Sequence, residues 1–248
     1  MSSARTAGRL LPEQVASELI TRILDGELDL DEQLPSEVDL AAALGISRLT
    51  LREAVKALQN RGVLRIERGR GTYVNPRRAW SQLDPMVLDA MTGSEAGPEL
   101  FRHLTEMRRV VETGMAGLAA ARRTDADLDR MRTHLDQLAD AAGRDSVDDY
   151  ATADLAFHDD LLAAAGNPLV EGIYDQLRSA LRDLRRETTR MAQNLADGLA
   201  VHRAILDAVS AGDAEQATHA MMRHFERTSA YLEQAIAATT TRRAPARQ

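Results

Sequence analysis

The segment Leu34–Val74, LPSEVDLAAALGISRLTLREAVKALQNRGVLRIERGRGTYV, leaves few folds open. Ser36 with Asp39 forms a capping box for a helix that ends near Leu44, and Gly45 supplies a tight turn. Ser47 is a strong N-cap for a second helix that stops near Gly62. In that helix Leu51, Val55 and Leu58 fall on one face, while Arg48, Arg52 and Lys56 recur every fourth residue on the other. Two short runs follow, Leu64–Glu67 and Thr72–Val74, joined by Arg68, Gly69, Arg70 and Gly71, which predicts a β-hairpin. A helix that docks on a small core with one face and offers cations on the other can enter the major groove of duplex DNA. The pattern predicts a winged helix-turn-helix.

The net charge of -7 argues against nucleic acid until its distribution is considered. Residues 47–78 carry nine Arg or Lys against Glu53 and Glu67, whereas residues 1–46 carry three against nine acids. A local basic patch, not the total, governs contact with phosphates. The absence of cysteine removes disulfides and thiolate metal sites and fits a reducing compartment. No apolar run reaches the ~20 residues that a membrane helix needs, so no membrane partner and a cytoplasmic location are expected. Aromatics are scarce and Leu, Ala, Val and Met abundant, which favours a mostly α protein.

A first helix is expected from Pro12 to Asp25, with residues 1–10 disordered and residues 11–75 forming the DNA-binding domain. Residues 76–97, punctuated by Pro and Gly, read as a linker with one short helical piece near Asp84 to Met91. Six helical segments are predicted beyond it, at about 98–122, 124–142, 146–165, 168–190, 196–211 and 213–238. Their short breaks predict an antiparallel bundle over residues 98–238, followed by a disordered tail at 239–248.

Four polar residues interrupt the apolar stripes of this bundle. Asp154 and His158 are four residues apart on one helix face, His202 lies among Leu199, Leu206 and Val209, and His224 among Ala217, Met221 and Thr228. Counted from the turns that share one end of the bundle, all four stand roughly 12–18 Å from that end. Three imidazoles and a carboxylate at one depth suit a divalent transition ion with positions left for water or a small anion. A buried histidine is also commonly satisfied by a carbonyl or hydroxyl, and His134 comes out near the same depth, so depth alone does not select ligands. Arg108 is expected one turn above the ion, able to hold a carboxylate, with Arg109 the surface neighbour.

The run LPSE-x-x-LA-x-x-LG-x-SR-x-T-x-REA-x-x-x-L, followed by G-x-L and G-x-GT-x-V, resembles the winged-helix domain of the GntR family of bacterial regulators. The segments EMRRVVE, ADLAFHDDLLAAAGNP and HRAILDAVSAGD, with His224, resemble the FCD domain of its FadR-type subfamily. Together the two cover about Leu11 to Ile236. The resemblance implies a homodimer that binds a palindromic operator and responds to a small carboxylate effector. It further implies that Asp154, His158, His202 and His224 hold zinc, or nickel or manganese, and that Ser47, Arg48, Thr50, Arg52, Gly69 and Arg70 face DNA. Ser36, in the turn before the first of the two helices, and Leu49 join that DNA-facing set. Val38 stands where family members often carry a DNA-contacting arginine, and Leu49 where a small polar residue is common, so apolar contact with a thymine methyl opens. The linker pattern W-x-x-LDP, Trp80 to Pro85, resembles that of members responding to sugar acids, although a lone Trp also serves to pack a linker.

The expected function is therefore a metabolite-responsive transcriptional regulator, a repressor sensing a small carboxylate such as a sugar acid. The alternatives are a metal-dependent enzyme, a regulator of another organic acid or fatty-acyl ligand, and an architectural DNA binder. No H-E-x-x-H arrangement supports the enzyme.

Overall fold

The computed structural model describes residues 3–192 and 195–243. The chain divides into two compact units, residues 1–97 and 98–248. The first contains α1 (Ser3–Leu24), α2 (Glu37–Ala43), α3 (Arg48–Asn60), β1 (Leu64–Glu67), β2 (Gly71–Val74) and α4 (Pro85–Gly93). The bundle unit contains α5 (Gly97–Arg122), α6 (Asp125–Gly143), α7 (Val147–Ala165), α8 (Pro168–Met191), α9 (Leu195–Ala211) and α10 (Ala214–Arg243).

Local chemistry sets the edges of α2 and α3. The Ser36 hydroxyl accepts from the Asp39 N–H at 3.2 Å, and the Ser47 hydroxyl from the Thr50 N–H at 3.1 Å. Between the helices Gly45 adopts φ +64°, a left-handed conformation that glycine takes without penalty. The amphipathic stripe of α3 then buries Leu51, Ala54, Val55 and Leu58 against Val15, Leu19, Ile20 and Ile23 of α1. After α3, Gly62 turns the chain at φ +71°, where a Cβ would meet the Ala79 carbonyl oxygen at 2.1 Å. The hairpin pairs Leu64 with Val74 through Glu67 with Gly71, and Gln33, in the loop before α2, pairs antiparallel with Tyr73. The wing is thereby tied to the residues that enter α2.

Three boundaries differ from expectation. The helix α1 begins at Ser3 rather than Pro12, with Pro12 inside it, because Ala4, Arg5, Ala7, Arg9, Leu10 and Leu11 are helix formers that carry the helix past one missing N–H. The segment 76–97 is no free linker. Trp80, Val87, Ala90 and Ala96 join the core of the first unit, the Trp80 indole donates to the Asn75 carbonyl at 3.0 Å, and Arg61 bonds Asp84, which itself caps α4. Enough apolar area is buried there to hold a chain whose Pro and Gly content suggests mobility. Finally, α10 runs on to Arg243, where residues 239–248 were expected to be disordered; residues 244–248 lie outside the described residues.

In the bundle unit, Thr124 and Asp127 form a reciprocal capping box for α6. Asn167 and Pro168 start α8 just after Gly166 ends α7 in the left-handed conformation. Among the described residues no helix is long and apolar enough to cross a membrane.

Candidate functional site

On α3 the side chains of Arg48, Arg52 and Lys56 are exposed, opposite the buried stripe. Arg52 is oriented by Glu37 of α2, Nε to Oε2 at 2.7 Å. Ser36 and Ser47 use their hydroxyls as caps, and Ser47 also bonds the Thr50 hydroxyl at 2.8 Å. Leu49 is 70% exposed and Val38 56%, so the departures from the family pattern leave two apolar side chains in solvent beside the cations. At the wing tip Gly69 takes φ +74° and Arg70 pairs with Glu67 at 2.7 Å. The Arg70 carbonyl accepts from the Gln33 amide at 2.7 Å, which holds the tip against the loop before α2. A cationic helix face flanked by a cationic hairpin tip can contact phosphates and base edges of duplex DNA.

In the bundle, α7, α9 and α10 bring together His158, His202 and His224. One ring nitrogen of each lies within 4.8 Å of the others, and all three residues are buried. Two of the rings are oriented from behind. The Nδ1 of His202 donates to the Gly198 carbonyl at 2.9 Å, and the Nδ1 of His158 bonds the Glu112 carboxylate. Each bond commits Nδ1 and turns a bare Nε2 lone pair inward, the arrangement that metal-ligating histidines adopt. The Nε2 atoms of all three are buried with no hydrogen-bond partner among the described residues. Asp154 stands beside this group: its Oδ1 is 2.8 Å from His202 Nε2 and 3.9 Å from His158 Nε2. Unsatisfied buried nitrogens carry a desolvation cost that a cation would remove, so the donor set fits a divalent ion.

The charges around this group are buried and balanced. Burial, then the Arg185 guanidinium, push His158 down to about 4, and burial and the neighbouring imidazoles hold His224 well below its ordinary value. Both are therefore neutral at pH 7, as ligation requires. For Asp154 burial alone would raise the carboxyl, but Arg185 and His202 hold it well below the usual range. Glu112 is likewise held down, against burial, by Arg108 and His158. Arg108 bonds Glu112 through Nε at 2.8 Å and lies over the Phe225 ring, and its buried Nη2 has no hydrogen-bond partner among the described residues. Arg185 bonds Asp154 through Nη1 and its Nη2 lies 3.8 Å from Glu112 Oε1, while neither Nε nor Nη2 has a hydrogen-bond partner among the described residues. Guanidinium N–H groups beside a partly open cavity lined by Arg108, Asp154, Arg185, His202 and His224 can hold an anion.

Of the other residues considered, Arg109 is exposed, and His134 faces Asp160 at 2.6 Å rather than joining the group of three histidines. The sequence reading missed Glu112 and Arg185. Both carry the signal that marked the histidines, a charged residue within a buried stripe: Leu104, Arg108, Glu112 and Met115 on α5, and Leu177, Leu181, Arg185 and Thr188 on α8. Applied to every charged residue, that test would have found them.

A winged-helix DNA reader followed by an all-helical domain of this arrangement defines a class, the two-domain DNA-binding transcriptional regulators. Residues 11–74 match the gntR family of bacterial regulatory proteins and residues 103–227 match the FCD domain. The chain belongs to the GntR family, in the FadR-type subfamily that carries an FCD domain. It is 28% identical to the galactonate operon transcriptional repressor of Escherichia coli K12, across 85% of this chain and 91% of that protein. It is 31% identical to the regulator LutR of Bacillus subtilis 168, across 82% and 92% respectively. The solved structure of Lar, which controls expression of the Listeria monocytogenes agr system, covers 90% of this chain and 96% of its own with a TM-score of 0.57; at 18% identity it bears on the fold alone. Proteins of this family are transcriptional regulators and not enzymes, so the metal-dependent enzyme is set aside.

Proposed function

We infer that this protein is a metabolite-responsive repressor that binds a palindromic operator as a homodimer in the cytoplasm and is released by a small carboxylate. The observation that carries the reading is a cavity of a DNA-binding chain lined by His202, His224, Arg108 and Arg185, with the third imidazole, His158, grouped with the first two. His158, His202 and His224, with Asp154, would hold the ion, zinc first and nickel or manganese as substitutes. When bound, the ion supplies positive charge and open positions for an acid. Arg108 and Arg185 bind and orient the carboxylate, Glu112 fixes the His158 ring, and Phe157 and Phe225 wall the imidazoles edge-on. Arg108, Arg185, Tyr150, Thr188 and Thr189 supply polar groups for an acid beside the apolar Ala192, Leu195 and Val201. The relatives' names, a galactonate operon repressor among them, support repression and an acid effector.

At the DNA end, Arg48 and Arg52 read or clamp the major groove, with Ser47, Thr50 and Leu49 at the helix start and Ser36 near the backbone. Gly69 and Arg70 reach the minor groove at the wing, and Lys56 contacts phosphate. The effector acts by binding one arrangement of the dimer's DNA-binding units more tightly than another. The test is fluorescence anisotropy of operator DNA with zinc-loaded protein, titrated with sodium salts of small acids. Operator affinity should fall about tenfold or more with a cognate acid, a coupling of ~1.4 kcal/mol. Binding of an acid by calorimetry with no change in operator affinity would reject the switch.

A further inference from the structure

The hairpin wing is braced from outside its own two strands. Residues 31–34 run beside β2 and bond its backbone: the Asp31 N–H donates to the Val74 carbonyl at 3.0 Å, the Val74 N–H to the Glu32 carbonyl at 3.0 Å, and the Leu34 N–H to the Thr72 carbonyl at 2.8 Å. A two-stranded hairpin alone is marginal in water, so this pairing steadies the base of the wing. The bond to Thr72 stops short of the cationic tip, and the side chain of Gln33 carries the brace further. Its Nε2 donates to the Arg70 carbonyl at 2.7 Å, and its Oε1 lies 3.4 Å from the Tyr73 hydroxyl. Gly71, at φ +117°, leaves this amide its place, since a Cβ there would stand 2.5 Å from Nε2. Gln33 is exposed and stands outside the apolar core, so these contacts act on the tip and not on the fold. Farther along the same short run, Ser36 caps α2, and Glu37 holds Arg52 of α3 at 2.7 Å. Gln33–Glu37 therefore touches the wing tip at one end and a cation of α3 at the other.

We propose that Gln33 is a positioning residue for DNA reading, which fixes the backbone of Arg70 relative to α3 so that wing and helix engage one duplex in register. The inference rests on the reading above, in which Arg70 reaches the minor groove. The Arg70 side chain is 73% exposed, so the direction in which its guanidinium is presented depends on where the tip backbone is held. A tip free to swing must be ordered when DNA binds, and that ordering is subtracted from affinity. Held by Gln33, Arg70 meets the duplex already placed. Gln33 thus acts through Arg70, and its contribution should vanish when the Arg70 guanidinium is removed.

The test is fluorescence anisotropy of full-length protein with a duplex that the parent protein has selected from a randomised pool, paired with hydroxyl-radical footprinting, which reads the minor groove. Arg70→Ala should weaken binding by about fivefold or more and lose protection at the nucleotides under the wing. Gln33→Met keeps the length and neutrality of the side chain but removes the amide. It should weaken binding by about threefold and lose protection at the same nucleotides, with the melting temperature of the free protein unchanged. The double variant should bind within about twofold of Arg70→Ala alone, because no guanidinium is left to position. Combined with Arg48→Ala, the loss from Gln33→Met should multiply. Parent-like affinity and footprint in Gln33→Met, or losses that multiply in the double variant with Arg70→Ala, overturn the positioning role and leave the wing reading intact. If Arg70→Ala changes neither affinity nor footprint, the wing reading falls and the positioning role with it.

Discussion

Arg52 and Arg108 each hold a glutamate through Nε at nearly equal distance, 2.7 Å to Glu37 and 2.8 Å to Glu112. The side chains of the first pair are 59% and 46% exposed and those of the second 1% and 0%. Water screens the exposed pair, so Arg52 can exchange Glu37 for another anion such as a phosphate at little cost. Within the bundle neither charge can be left alone, because an uncompensated buried ion costs several kcal/mol. The same chemical pair is thus a readily exchanged surface contact on α3 and a structural commitment on α5. An Arg proposed to release its carboxylate on meeting DNA belongs in the first setting. Charges that orient His158 within the group of three buried imidazoles belong in the second.

The largest effect should come from the buried pair. Glu112→Ala strands Arg108 and unfixes His158, and should lower unfolding stability by about 3–5 kcal/mol, measured as the loss in the urea transition followed by helical circular dichroism. A loss below about 1 kcal/mol, the scale of an exposed pair, would erase the contrast. Next comes the α3 face, where Arg48→Ala should cost roughly 1–3 kcal/mol of operator binding and narrow the gap between operator and scrambled duplex in anisotropy titrations. An unchanged gap would remove Arg48 from base reading. Smallest is Glu37→Ala, which should change stability by at most about 1 kcal/mol. Because it frees Arg52 while removing a negative charge near DNA, the operator affinity of Glu37→Ala should rise slightly at low salt and match the parent at high salt. A stability loss as large as that of Glu112→Ala would show that exposure does not separate the two pairs.

How legible each region is in the sequence follows the same division. The turn at Gly45, the caps at Ser36 and Ser47 and the six bundle helices are set by contacts within a few residues of each boundary, and apart from the C-terminal end of α10 they stand where the sequence places them to within a residue or two. The run 76–97 reads as a linker because Pro and Gly are local signals, whereas the burial of Trp80 and Val87 depends on the distant α1. The histidines are visible as polar interruptions of apolar stripes. Glu112 and Arg185 interrupt stripes too, but their meaning depends on what faces them across the bundle: Glu112 meets His158 of α7, and Arg185 meets Asp154.

Sequence alone was sufficient for the order and bounds of most helices, the cationic face of α3, the hairpin wing and the kinds of residue a metal would need. Each of these follows from periodicity and capping, which act over one or two helical turns. Only the tertiary structure decided that Arg108 pairs with Glu112 rather than standing alone in the bundle. It also decided that His134 pairs with Asp160, that segment 76–97 docks on α1, and that a buried set of two arginines and two acids encloses the imidazoles. Those outcomes depend on which helix faces are packed together, and therefore on contacts between residues tens of positions apart that no local pattern encodes.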